Sequence, residues 1–257
     1  MSAETITETG IYHGDCRNLL RCLEPCSVDA LISDMPYDVA KPNNFHTMGR
    51  SSIDFEWDKE PLSFDQWLPA VDKALKPSGN VILLYDIWKL ESLKAFLEQD
   101  LGYVVKRPVC IWKTNPWPRN KERSAIQAVE TGLWAVKRPS RGSKWTFNRR
   151  PEEAYETLVF EDHDDGSSES APLVFKTGCA RMAKGQPRHE ALKPLSVIRD
   201  LVRIFSNEGD LVLDPFVGQG TTSVACELSG RRHISFEKRR DWYDAAVDRW
   251  HRCRDRA

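Results

Sequence analysis

Short apolar segments recur along the chain, and amphipathic segments of helical length separate several of them. Most apolar segments run into a polar or glycine-containing turn, which is typical of a parallel sheet with crossover helices. The pattern predicts strands at residues 11–13, 29–33, 81–85, 104–112, 133–136, 211–213 and 233–236. It predicts helices at residues 64–75, 88–100, 195–205, 222–228 and 240–252. We therefore expect an α/β fold of three layers around a mostly parallel, seven-stranded sheet.

One long segment, residues 137–189, interrupts this alternation and is called the inserted segment below. Its first half is basic, and its second half is acidic and polar around Gly166. A structureless stretch of this length is uncommon inside a compact domain. The inserted segment is therefore interpreted either as a functional insertion with structure of its own or as a disordered linker.

Composition limits the class of protein. With 257 residues, 40% of them hydrophobic, the chain suits a single catalytic domain over residues 1–257. A net charge of -1 excludes a uniformly basic nucleic-acid coat, although local basic clusters remain effective. The seven cysteines show no CxxC pair or zinc-ligand spacing, and no apolar run is long enough to span a membrane. We expect a cytoplasmic protein with reduced thiols and no metal.

The strongest chemical signal is an apolar strand that leads into a glycine-rich turn, Asp214-Pro215-Phe216-Val217-Gly218-Gln219-Gly220. The two glycines permit unusual backbone angles and the close approach of a ligand. Thr221 or Thr222 is expected to cap the following helix. One strand further on, Glu237 stands at a strand end, where its carboxylate can accept hydrogen bonds from both ribose hydroxyls of a nucleoside cofactor. A dinucleotide loop requires a third glycine that is absent here, which argues against NAD.

A second apolar strand ends abruptly in the tetrad Asp34-Met35-Pro36-Tyr37. An aryl amine is a poor nucleophile because its lone pair is delocalised into the ring. The Asp34 carboxylate and the Met35 carbonyl can each accept one amine hydrogen and so orient that lone pair, which is catalysis by positioning. Pro36 stiffens the turn. Tyr37 offers a flat face for an extruded base.

These two motifs resemble those of the DNA amino-methyltransferases, which carry an Asp-Pro-Pro-Tyr tetrad for the target amine and a Phe-x-Gly-x-Gly loop for S-adenosylmethionine. The tetrad precedes the loop, as in the permuted "beta" order of that family. The resemblance implies a Rossmann-like methyltransferase fold with circularly permuted motifs, and a target-recognition role for the inserted segment. It also implies methyl transfer from S-adenosylmethionine to a flipped base in double-stranded DNA. A homodimer and a cognate restriction endonuclease are further partners to consider.

Further matches extend the resemblance over most of the chain. Gly14-Asp15-Cys16 resembles the strand-end acid near the cofactor adenine, and Lys193-Pro194 resembles the Lys-Pro element near the methionine end of the cofactor. The segment from Trp112 to Pro118 resembles one that helps to line the base pocket. The full set of expected cofactor contacts is Asp15, Cys16, Asp34, Lys193, Pro194, Ser196, Asp214, Phe216, Gly218, Gly220, Thr221 and Glu237.

Met35 departs from the family pattern, because the usual tetrad has proline there. Its backbone carbonyl survives, so the reaction type is retained and the activity level is in question. The leading Asp34, in place of the serine typical of N4-cytosine enzymes, favours the N6 amine of adenine. Three alternatives stay open: an N4-cytosine or RNA enzyme, a degenerate homologue that binds without turnover, and a C5-cytosine enzyme. The last would need a Pro-Cys nucleophile, and Pro25-Cys26 precedes a strand instead of ending one.

Basic residues with interleaved tryptophans flank the proposed base pocket in sequence. Lysine and arginine bind phosphates, and arginine can also read guanine edges. Two asparagines soon after the tetrad can close over DNA or fill the gap left by the flipped base. The predicted DNA contacts are Asn43, Asn44, Arg119, Arg123, Arg138, Arg141, Lys144, Arg149 and Arg150.

Overall fold

The fold was derived from a computed structural model, which describes residues 5–36, 62–114, 128–148, 174–178 and 192–255. Eight strands in these ranges form one sheet in the order β1-β8-β7-β2-β3-β5-β4-β6. Only β5 among them runs antiparallel to its neighbours. The strands are β1 (Gly10–His13), β2 (Val28–Asp34), β3 (Leu75–Tyr85), β4 (Val104–Lys113), β5 (Val129–Val136), β6 (Val174–Thr177), β7 (Leu211–Asp214) and β8 (Arg232–Glu237).

Helices cover both faces of the sheet. They are α1 (Cys16–Leu19), α2 (Leu68–Ala74), α3 (Leu90–Ala95), α4 (Leu195–Phe205), α5 (Thr221–Glu227) and α6 (Arg240–Arg254). Within β2, Leu31 packs into a core cluster that includes α2 and α3, whereas Ile32 packs into a second cluster that includes α4 and α5. Successive strand residues point to opposite faces, so a strand that is covered on both sides must be apolar throughout. The three-layer α/β prediction is confirmed.

The strand order places the carboxyl ends of β2 and β7 side by side. From β2 the chain continues to β3 on one side, whereas from β7 it continues to β8 on the other. A crevice opens at such a switch point in an open α/β sheet, and ligands bind there. The tetrad strand and the cofactor-loop strand are therefore neighbours although 180 residues separate Asp34 from Asp214.

Several sequence-based boundaries need correction. The sheet has eight strands in the described residues and not seven, because β6 was missed. The expected helix at 64–75 is a 3-10 turn at Phe64–Gln66 followed by α2. The expected helix at 88–100 divides into a 3-10 turn, α3 and a π-helical turn at Phe96–Asp100. The helix at 195–205 is confirmed.

The described parts of the inserted segment belong to the body of the fold. Asn80 donates hydrogen bonds to the carbonyls of Thr146 and Phe205, and Phe147 stacks on Trp134. Residues 174–177 form β6 beside β4. The remainder of the segment lies outside the described residues. Among those that are described, no helix is long and apolar enough to cross a membrane.

Candidate active site

A cavity of about 920 Å³ opens at the carboxyl edge of the sheet. Acids stand at the ends of four adjacent strands and line it: Asp15 just after β1, Glu237 in β8, Asp214 in β7 and Asp34 in β2. Parallel strands carry their ends to one edge, so residues that are far apart in sequence converge there. The sequence-predicted residues on this cavity are Asp15, Cys16, Asp34, Met35, Pro36, Lys193, Asp214, Phe216, Gly218, Thr221 and Glu237.

The first three tetrad residues, Asp34, Met35 and Pro36, line the cavity at the end of β2. The Asp34 Oδ2 atom lies 2.6 Å from Nζ of Lys193, whose side chain is only 5% exposed. The Met35 side chain is 2% exposed and packs into the cluster that includes α2 and α3. The methionine in place of the usual proline thus fills core space, and the residue is also one of those that line the cavity. Tyr37 lies outside the described residues.

Lys193 joins a larger network of buried charges. Its Nζ lies 3.6 Å from Glu130 Oε2, and Glu130 Oε1 contacts Nζ of Lys113. Although burial lowers the pKa of Lys193, Asp34 and Glu130 raise it above its usual value. Burial likewise acts to raise the pKa of Glu130, but Lys193 and Lys113 hold it below its usual value. Both shifts favour the charged forms of these groups.

Sequence reasoning missed the roles of Glu130 and Lys113. The available signal was an acid near the start of an otherwise apolar strand, because such a residue needs a buried partner. The sequence assigned Lys193 to the cofactor; the structure places it among the cavity-lining residues and pairs it with Asp34.

Asp214 is 2% exposed and holds the start of the glycine loop. Its Oδ1 accepts hydrogen bonds from Ser33 Oγ at 2.5 Å and from the Phe216 amide at 3.0 Å. Burial raises the pKa of Asp214 to about 6, partly offset by hydrogen bonds from Ser33 and Thr222. A cation bound in the cavity would stabilise this carboxylate.

The two loop glycines have different roles. Gly218 lines the cavity with φ +53°, and a Cβ there would meet open space within 4 Å. Gly220 has φ +80°, and its Cβ would lie 3.2 Å from the backbone of Ala246 in α6. Gly218 thus leaves room beside the cavity, whereas Gly220 permits the close packing of α6. Gly220 is not among the cavity-lining residues.

The expected threonine cap of α5 was wrong. Gly220 is the N-cap and makes no side-chain hydrogen bond. Thr222 instead hydrogen-bonds Asp214, and Thr221 accepts a hydrogen bond from Arg249 at 3.1 Å. Because Gly220, with its left-handed backbone, starts the helix without a side-chain cap, the hydroxyls of Thr221 and Thr222 are free to hydrogen-bond other parts of the fold.

Glu237 lines the cavity at the end of β8. Its Oε2 accepts a hydrogen bond from the Gly218 amide at 3.0 Å, and its Oε1 accepts one from the Arg239 amide at 2.8 Å. Burial raises the pKa of Glu237 to about 7, although these amides oppose the shift. A carboxylate oxygen can accept more than one hydrogen bond, so the two amides orient the group without exhausting its acceptors.

Other predicted contacts are placed less directly. Asp15 caps α1 and is paired with Arg17, whose hydrogen bond lowers the pKa of Asp15. Pro194 is buried as the N-cap of α4 and Ser196 is exposed, and neither is among the residues that line the cavity. Lining residues that the sequence did not single out include Arg239, Trp242, Leu62 and Ile198.

The described part of the predicted DNA surface does not lie near Asp34. Arg138, Arg141 and Lys144 follow the end of β5, whose last residue pairs with Asn80 and not with the carboxyl end of β3. Glu130 to Lys137 spans about 23 Å at roughly 3.3 Å per strand residue. This placement does not support contact with DNA around the target base. The predicted contacts outside the described residues are Asn43, Asn44, Arg119, Arg123, Arg149 and Arg150.

The cavity fits S-adenosylmethionine in shape and charge. The open space beside Gly218 accommodates a ligand against the loop backbone, and Phe216 and Trp242 supply aromatic surface. The raised pKa values of Asp214 and Glu237 arise first from burial; repulsion from Asp34 adds to the shift of Asp214, and repulsion from Asp214 adds to that of Glu237. A sulfonium or ammonium group relieves both effects. The residues present therefore suit a cationic nucleoside better than an anionic one.

The α/β fold and the acidic cavity that Asp34, Met35 and Pro36 line are those of an S-adenosylmethionine-dependent methyltransferase. A family model described as DNA methylase, for N6 and N4 enzymes, matches residues 28–248, so the chain belongs to that family. The resemblance inferred from the two motifs is confirmed. The protein is a DNA methyltransferase that uses S-adenosylmethionine.

Individual relatives are similar over most of the chain. The type II methyltransferase M.HinfI of Haemophilus influenzae is 28% identical over 250 residues, which cover 93% of this chain and 67% of the relative. The type II methyltransferase M2.DpnII of Streptococcus pneumoniae is 27% identical over 247 residues, 93% of this chain and 88% of the relative. The crystal structure of the M1.HpyAVI–SAM complex matches with a TM-score of 0.63 and 28% identity, covering 93% of this chain and 98% of that one.

Proposed function

We propose that this methyltransferase modifies the N6 amine of adenine in double-stranded DNA. The observation that carries the proposal is the placement of Asp34, which ends β2 at the cavity beside Asp214 and is ion-paired with buried Lys193. The ion pair favours the ionised carboxylate, which is the form that accepts hydrogen bonds. An aspartate at the head of the tetrad, where N4-cytosine enzymes typically have serine, favours adenine.

In this proposal the Asp34 carboxylate and the Met35 carbonyl accept the two amine hydrogens and direct the nitrogen lone pair toward the cavity. Bound S-adenosylmethionine supplies the electrophilic methyl group for a direct in-line transfer. The methylated nitrogen then carries an extra proton, which Asp34 is placed to accept. Tyr37 stacks on the flipped base, and Pro36 restricts the backbone of the turn that joins Met35 to Tyr37.

Five residues hold the cofactor or its loop. Asp214 orders the loop through the Phe216 amide, and Glu237, which lines the cavity, is assigned to the ribose hydroxyls. Asp15 contacts the adenine end, as the family resemblance implies. Gly218 leaves space for the ligand, whereas Gly220 acts indirectly by seating the loop on α6.

Four expectations from the sequence stay predictions: a target-recognition role for the inserted segment, a homodimer, a cognate restriction enzyme and a cytoplasmic location.

The test of the Asp34 assignment is Asp34→Ala. This variant should bind S-adenosylmethionine with an affinity near that of the wild type and should transfer no methyl group to DNA. Normal turnover in the variant would refute the assignment. If wild-type protein yields N4-methylcytosine, the base is wrong and the fold stands. If it yields no methylated nucleoside in DNA, an RNA substrate or a homologue without turnover replaces the proposal.

A further inference from the structure

A chain of four alternating charges runs along the carboxyl edge of the sheet and continues beyond the cavity. It connects Lys113 at the end of β4, Glu130 near the start of β5, Lys193 before α4, and Asp34 at the end of β2. Asp34 and Lys193 line the cavity, whereas Glu130 and Lys113 are not among its lining residues. The outer two residues therefore act on the reaction only through the inner two.

We propose that Glu130 is a positioning residue that holds the Lys193 ammonium between two carboxylates and so leaves Asp34 able to accept the hydrogen of the target amine. This inference rests on the proposed role of Asp34. It adds Glu130 and its partner Lys113 to the residues that support methyl transfer.

The geometry supports a shared ammonium group. Lys193 is 2.6 Å from Asp34 and 3.6 Å from Glu130, and its side chain is 5% exposed, so water screens these interactions weakly. A lysine that faced Asp34 without Glu130 would concentrate its charge on that carboxylate and weaken it as an acceptor. Glu130 draws part of the interaction to the opposite side of the ammonium group.

Lys113 keeps Glu130 in place. Its Nζ contacts Glu130 Oε1, whereas Lys193 lies nearer to Oε2, so the two cations address different oxygens of one carboxylate. Glu130 pairs in register with Ile111 of β4, two residues before Lys113. The antiparallel pairing of β4 and β5 thus sets the distance between the two side chains.

The charge count predicts how the network responds to a change. The four groups sum to zero, and Asp214, which interacts electrostatically with Asp34, adds negative charge from β7. Replacing Glu130 with glutamine leaves two cations against Asp34. The Lys193 ammonium then loses a stabilising anion and should deprotonate at a lower pH.

The experiment compares wild type with Glu130→Gln, and uses Glu98→Gln as a matched control because Glu98 forms an exposed pair with Lys94 away from the cavity. In Glu130→Gln the single-turnover rate of labelled methyl transfer to DNA should fall by about tenfold or more at saturating cofactor. The affinity for S-adenosylmethionine should stay within about threefold. Glu98→Gln should match wild type in both quantities.

A second variant separates positioning from simple charge balance. Glu130→Gln combined with Lys113→Gln restores a neutral network and removes the unpaired cation. If Glu130 only stabilised the fold, this double variant would recover both thermal stability and rate. The proposal predicts that stability recovers and that the rate remains low, because Lys193 then faces Asp34 without Glu130.

A readout that needs no turnover is the titration of Lys193 in the protein without cofactor, followed by NMR of 13Cε-labelled lysine and assigned with Lys193→Arg. The Lys193 signal should titrate at lower pH in Glu130→Gln than in wild type. Identical titrations, or an unchanged transfer rate, would overturn the inference. Methyl transfer is counted whichever base receives it, so an error in the adenine assignment would not be mistaken for failure of the Glu130 role.

Discussion

The two glycines of the cofactor loop should fail in different ways when each is replaced by alanine, and a third glycine supplies the control. Gly209 has φ +81° and open space around its Cβ position, and it is not among the cavity-lining residues. Gly209→Ala therefore reports the cost of a left-handed alanine alone, about 1–2 kcal/mol. Gly220 has nearly the same φ, +80°, but its Cβ would lie 3.2 Å from Ala246 backbone atoms.

The added contact sets the expected difference. Overpacking costs about 1–3 kcal/mol, so Gly220→Ala should lose about 2–5 kcal/mol of unfolding free energy in total. For a chain of this size that corresponds to a fall in Tm of roughly 5–15 °C. Gly218→Ala should be destabilised no more than Gly209→Ala, because its Cβ would meet open space. That space borders the cavity, so the cofactor affinity of Gly218→Ala should fall by about tenfold, or ~1.4 kcal/mol.

Urea unfolding and calorimetric titration with S-adenosylmethionine on all three variants measure both quantities. A Gly220→Ala variant no less stable than Gly209→Ala would refute the close packing of Gly220 against α6. A Gly218→Ala variant that binds the cofactor as tightly as Gly209→Ala would place Gly218 outside the surface that contacts the ligand.

Three further predictions follow from the charges. Burial lowers the pKa of His233, which packs against Trp250, to about 4, so the unfolded chain binds more protons than the folded protein below about pH 6.5. The stability that depends on neutral His233 should be complete above that pH and should fall by up to about 3 kcal/mol toward pH 4. His233→Phe should abolish this pH dependence of the free energy of unfolding in urea. The raised pKa values of Asp214 and Glu237 predict that affinity for S-adenosylmethionine falls as the pH is lowered from 8 to 5.5, more steeply than affinity for the product, whose sulfur is uncharged. If calorimetric titrations give the same pH dependence for both ligands, these carboxylates do not bind the sulfonium charge. Arg141→Ala should leave the affinity for DNA and its salt dependence unchanged in filter binding, because Arg141 follows the end of β5 that is opposite to Glu130. A smaller salt dependence in the variant would show that DNA also contacts the edge of the sheet where β5 ends.

The central strands were predictable because both of their faces are buried. Residues 30–32, at the centre of the predicted strand 29–33, and residues 211–213 are all apolar, and the acids Asp34 and Asp214 that end these strands mark the edge of the sheet where the site lies. β6 was missed because it has only four residues, of which only the first two are apolar, and because it lies at the edge of the sheet within a polar segment. Edge strands carry little of the hydrophobic signal that identifies central ones.

The site residues that belong to a local motif could be predicted from the sequence, whereas those brought together by strand pairing could not. Asp34 and Gly218 could be found from local sequence, and both border the cavity. Glu130 could not, because its importance depends on the antiparallel pairing of β5 with β4 and on the entry of Lys193 from another part of the chain. The same limit explains the error over the helix cap, since only the backbone angle of Gly220 shows that no threonine cap is needed.

The most direct test of the central claim is to incubate wild type and Asp34→Ala with S-adenosylmethionine and unmethylated genomic DNA, at equal cofactor occupancy, and to determine methylated nucleosides by mass after complete digestion. We expect N6-methyladenine from wild type and none from the variant. N6-methyladenine at comparable levels from both proteins, or a different methylated base from wild type, would contradict the proposed function.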